Sequence, residues 1–76
     1  MPKLPVVSGP ETVAALKRAG FVFERQNASH VILIHRDRAL SVSVPVHGGK
    51  DLPSGTLRGI IADAGLTVGE FQRWLK

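Results

Sequence analysis

The sequence predicts an α+β domain of order αβββα, a three-stranded antiparallel sheet with helices on one face and a short extra helix at the C-terminus. Three observations carry this. Ser8 and Glu11 make a capping-box pattern that opens a first helix, and Gly20 stops it. Three runs rich in β-branched and aromatic residues follow, parted by polar turns. Leu57, Ile60, Ile61 and Ala64 then repeat at i, i+3, i+4 and i+7, the stripe of a core-facing helix.

The first helix is predicted over about 10–19, with Pro10 in the first turn and Lys17 and Arg18 at its C-terminal end. Phe21 to Arg25 reads as the first strand, with Asn27-Ala28 as the turn after it. Residues Ser29 to His35 are apolar on both faces, as expected of a central strand. Arg36-Asp37-Arg38 is a short polar connection. From Ala39 to Val44 the pattern alternates, Leu40, Val42 and Val44 against Ser41 and Ser43, until Pro45 ends the strand. Val46 to Leu52 is a loop marked by Gly48-Gly49, without the spacing of a phosphate-binding loop. The second helix begins near Pro53 or Ser54 and closes at Gly65. A second capping box, Thr67 and Glu70, opens a terminal helix with Phe71, Trp74 and Leu75 on one face, Trp74 closing the core.

Composition narrows the function. Seventy-six residues with 43% hydrophobic and 21% charged side chains suit one globular domain, 1–76. The chain has no Cys, so neither disulfides nor thiolate sites supplement the core. Apolar runs are far shorter than the ~20 residues a membrane span needs. The stretch Met1 to Pro5 lacks the apolar core of a signal peptide, so the expectation is a cytoplasmic protein with no membrane partner. Ten Lys and Arg against six Asp and Glu give a net charge of +4, which favours encounter with nucleic acid or an acidic protein. Three Phe, one Trp and no Tyr do not make an aromatic platform for single strands.

The residues able to carry chemistry are few. His30 and His35 are five apart on one strand, so they face opposite sides and cannot share a metal ion. No HxH, HExxH or carboxylate cluster accompanies them, and no metal or small-molecule cofactor is expected. A metal-independent reaction that fits is RNA cleavage by its own 2′-OH. It requires a base for the hydroxyl proton and cations around the phosphorane. His30, at the mouth of the central strand, is the candidate base, with Ser29 positioning substrate or ring. His47 and Lys50 on the glycine loop are candidates for approaching a phosphate, and Arg25, Arg36 and Arg38 for holding the backbone. Plain structural readings stand beside these: His30 as a surface or satisfied structural residue at a strand edge, Ser29 as a turn residue, and His35 as an exposed flank of the hairpin.

An ordered set of short motifs runs through the chain from about residue 10 to 75: Ala19-Gly20-Phe21, Ala28-Ser29-His30, Val44-Pro45, His47, Gly55-Thr56-Leu57-Arg58-Gly59-Ile60, Ala64-Gly65-Leu66 and Glu70-Phe71. In this order they resemble the HicA toxin family of mRNA interferases. The resemblance implies a double-stranded-RNA-binding-domain-like fold and His30 as the catalytic histidine. It further implies a metal-independent endoribonuclease, the toxin of a type II toxin–antitoxin system acting on mRNA, with a HicB-type antitoxin as protein partner. A non-catalytic RNA-binding module, or an inactive toxin homologue working through protein contacts, is the alternative. Ala28 stands where the family has Gly. If that position takes a positive φ, Ala costs on the order of 1 kcal/mol there.

Overall fold

The computed structural model describes residues 3–75; Met1 and Pro2, part of the N-terminal stretch read above, and Lys76 lie outside the described residues. Six elements follow one another: α1 (Gly9–Arg18), β1 (Val22–Asn27), β2 (His30–His35), β3 (Leu40–Pro45), α2 (Ser54–Asp63) and α3 (Val68–Arg73). The strands pair antiparallel in chain order, with β2 central. This is the predicted αβββα arrangement with its extra C-terminal helix.

Both helix starts are closed by the expected boxes. The Ser8 hydroxyl accepts from the Glu11 N–H at 3.2 Å, and the Glu11 carboxylate accepts from the Ser8 N–H at 2.8 Å. Thr67 and Glu70 repeat this at 3.1 and 2.8 Å. These bonds favour the ionised carboxylates and hold both Glu11 and Glu70 below the ordinary value of 4.5. A carboxylate lowered in the folded state stabilises it above its unfolded pKa, and that contribution disappears as pH falls through the lowered value. Thermal melts should therefore be flat in this respect from pH 7 to about 5 and fall below pH 4.5. Glu11→Gln should flatten part of that acid limb. Ser8→Ala should lower stability by about 1 kcal/mol at pH 7, read from a denaturant titration.

The two longer helices also end alike. Gly20 donates to the Lys17 carbonyl and Phe21 to that of Leu16; Gly65 donates to Ala62 and Leu66 to Ile61. This paired bonding is the Schellman stop. It explains why β1 starts at Val22: Phe21 is drawn into the stop, where it is buried with Leu16. At the other end β1 runs on to Asn27, two residues beyond the predicted strand.

Register decides which side chains face the helices. Val31 pairs with Val44 and Leu33 with Val42, and all four are buried beneath α1 and α2. Leu57, Ile60, Ile61 and Ala64 bury as their spacing predicts, and Phe71 anchors α3. Trp74, expected to close the core, is 38% exposed, and its carbonyl accepts a bond from Arg18 at 2.6 Å. Arg18 is thereby committed to joining the two helix ends.

Two glycines seat α1 on the sheet. Gly9 lies against the backbone of Pro45 and Val46, and Gly20, at φ +108°, lies against the His35 ring. His35 is half-buried, not the exposed flank expected from its polar neighbours. Its ring meets Phe21 edge-on at 5.2 Å, and its buried Nδ1 has no hydrogen-bond partner among the described residues. The missing Cβ of Gly20 is what makes room for it.

Candidate active site on the open sheet face

His30 is the first residue of β2 and is exposed. It shares a parity with Ile32 and Ile34, opposite to the buried Val31 and Leu33, so it lies on the sheet face without helices. His35 falls on the helix side, as the five-residue separation requires. Directly paired with His30 are Asn27 on β1 and Pro45 on β3. The next row of this face is Arg25–Ile32–Ser43, and the third is Val22–Ile34–Ser41.

Arg25 reaches this face through an irregularity. Phe23 pairs with Leu33, and Arg25 with the adjacent Ile32, leaving Glu24 as an extra residue. Regular alternation would put Arg25 on the side of Phe23. The bulge turns Arg25, and Asn27 after it, toward the side of His30. The Arg25 guanidinium donates to the Glu24 carboxylate, an exposed pair of small energetic weight. Nothing in the local sequence marks the bulge, since it carries no glycine, and the Asn27-Ala28 step by itself signals only a turn.

The turn before His30 is tight. Asn27 pairs with His30, leaving Ala28 and Ser29 as a two-residue loop. Ala28 has φ +54°, the left-handed region that disfavours a Cβ. The Gln26 side chain donates to the Ala28 carbonyl at 3.2 Å, and the Ser29 carbonyl accepts from the Val46 N–H at 2.6 Å. Those bonds hold the strained loop in place. Ala28→Gly should add about 1 kcal/mol of stability, a rise of about 4–8 °C in Tm. An unchanged melting temperature would mean that Ala28 is not strained.

The other cations separate into two groups. His47 and Lys50 are exposed and follow β3 on the same end of the sheet as His30, because Val46 is tied to Ser29. The backbone N–H of Lys50 donates to the His47 carbonyl at 3.3 Å to close a turn, and the loop is pinned where the Leu52 N–H donates to the Val7 carbonyl at 2.8 Å. Arg36 and Arg38 lie beyond the opposite end of β2, about 20 Å along the strand from His30. The Arg38 guanidinium packs toward Gly65 and helps to lower Glu70, so it serves the α2–α3 end. The structure groups Ser29, His30, Arg25, His47 and Lys50 at one end and leaves Arg36 and Arg38 at the other. Among the described residues, no three of His, Asp and Glu come together in a way that could hold a metal ion.

Chemically, the open face offers an accessible imidazole beside an amide, with a guanidinium one row away. No helix among the described residues is long and apolar enough to cross a membrane. No curated protein matches the chain. A family model described as the HicA toxin of bacterial toxin–antitoxin systems matches residues 9–66, from the first residue of α1 to the Schellman stop of α2, and the chain therefore belongs to the HicA toxin family.

Proposed function

We propose that this toxin is an endoribonuclease that cuts mRNA by transesterification, with His30 as general base. The supporting observation is the exposed imidazole of His30 at the mouth of the central strand, with Arg25 and Asn27 turned to its side of the sheet. The imidazole takes the proton of a ribose 2′-OH. The 2′-oxygen attacks the adjacent phosphorus, the bond to the 5′-oxygen breaks, and that oxygen takes up a proton from solvent. The products are a 2′,3′-cyclic phosphate and a 5′-hydroxyl. Arg25 and Lys50 stabilise the phosphorane charge, Ser29 holds the turn that aims His30, and His47, in the same loop as Lys50, approaches the phosphate. No cofactor enters this scheme.

An antitoxin of the HicB type would act by covering the open face and His30, in the cytoplasm where mRNA is met. The net charge of +4 suits an acidic covering surface as well as RNA. The strain at Ala28 favours a second reading, a homologue that binds RNA or its antitoxin with little turnover. One experiment separates the two. RNA is incubated with the folded protein in EDTA, and the new ends are read by mass spectrometry. Cyclic phosphates support the nuclease; intact RNA that is still bound supports the second reading.

A further inference from the structure

The nine paired positions of the open face hold no carboxylate, and the nearest, Glu24 in the bulge, accepts from the Arg25 guanidinium in an exposed pair. They carry one guanidinium (Arg25), one imidazole (His30), three uncharged hydrogen-bonding groups (Asn27, Ser41, Ser43), and Val22, Ile32, Ile34 and Pro45. Ile32 and Ile34 run down the middle, half-buried, with hydroxyls on one flank and Arg25 on the other. Asn27, Ser41 and Ser43 are exposed, so their polar groups are open to a ligand. A nucleic-acid duplex offers phosphates and sugars with its bases stacked away, and this face has a single cation to meet them. Unstacked bases offer flat apolar faces and polar edges; in place of an aromatic platform, this face meets them with an aliphatic centre flanked by hydroxyls and an amide.

We propose that the open face is the substrate path, and that the RNA lies on it single-stranded. Its bases rest on Ile32 and Ile34, and Ser43 and Asn27 touch base or ribose edges. Arg25 exchanges its exposed pair with Glu24 for the phosphate that His30 serves. The bulge at Glu24 brings Arg25 and Asn27 to this path. This rests on the RNA-cutting reading above and adds to it the strandedness of the substrate and the surface that takes it.

The test uses a His30→Ala background, so that RNA is not consumed, and fluorescence anisotropy at low salt. The probes are a labelled single strand and the same strand annealed to its complement. Ser43→Glu and Ser43→Lys place opposite charges on the path. Ala62→Glu and Ala62→Lys do the same on the exposed side of α2, behind the sheet. Ser43→Glu should weaken single-strand binding by roughly fivefold or more, and Ser43→Lys should tighten it similarly. The Ala62 pair should stay within about twofold, and the duplex should bind more weakly than the single strand. Opposite shifts at position 43 do not arise from misfolding.

Equal effects at positions 43 and 62, or a duplex that binds as tightly, overturn the proposal. So does a position-43 pair that leaves RNA binding unchanged, which would assign this face to a protein partner. His30-dependent cleavage by the wild type together with a silent position 43 removes the path alone. A wild type that neither binds nor cuts RNA removes the path and the nuclease together.

Discussion

His30→Ala is expected to melt with the wild type and to cut RNA at least about a hundredfold more slowly, the usual loss when a positioned base is removed. The two halves of this result come from one feature, the exposure of His30. An exposed side chain at the first position of a strand contributes little packing, so stability should change by no more than about 0.5 kcal/mol. Chemistry at an exposed imidazole, by contrast, has no second group to replace it. His47 is on the same end of the sheet, but in a loop after β3 and not on the His30 row. Product ends in EDTA are the measurement, beside a thermal melt of each variant. Cleavage retained within a fewfold would take the base role from His30. His30→Asn, which keeps a hydrogen-bonding group but cannot accept the proton as imidazole does, should be as slow as His30→Ala.

Much of the frame was legible because local chemistry decided it. The caps at Ser8 and Thr67, the stops at Gly20 and Gly65 and the apolar stripe of α2 each depend on residues within a turn or two of one another. The site was legible only in part, because its geometry is set across strands. β2 is apolar on both sides, so its own parity cannot say which face His30 takes. That is settled by its pairing with β3, whose buried Val42 and Val44 face Leu33 and Val31. For Arg25 the sequence shows the cation but not the face, since a bulge with no glycine leaves no mark in composition. As cations able to hold the RNA backbone, Arg36 and Arg38 are equivalent to Arg25 in the sequence, but the length of β2 keeps them away from His30. The charged neighbours of His35 suggest exposure, but the residue it packs against, Gly20, lies in the turn after α1, far away in sequence.

Gly9→Ala is the change expected to damage the fold most, by about 2–3 kcal/mol. A Cβ built on Gly9 would lie 2.2 Å from the Pro45 carbonyl oxygen and 3.0 Å from the Cα of Val46. Both are backbone atoms, so no rotamer change relieves the overlap, and either α1 must lift or the end of β3 must move. In a domain of this size the loss corresponds to a fall of about 10–20 °C in Tm. The displaced atoms are those that frame the site. Pro45 is the cross-strand partner of His30, and Val46 holds the Ser29 carbonyl. At temperatures where Gly9→Ala is still folded by circular dichroism, its cleavage rate should drop as well. A comparably destabilised variant in α3, such as Phe71→Leu, should cleave normally while folded, because α3 does not touch that end of the sheet through any bond to Pro45 or Val46. Equal losses in both variants would mean that activity follows global stability alone. A loss confined to Gly9→Ala would make the start of α1 the buttress that keeps His30 aligned with its neighbours.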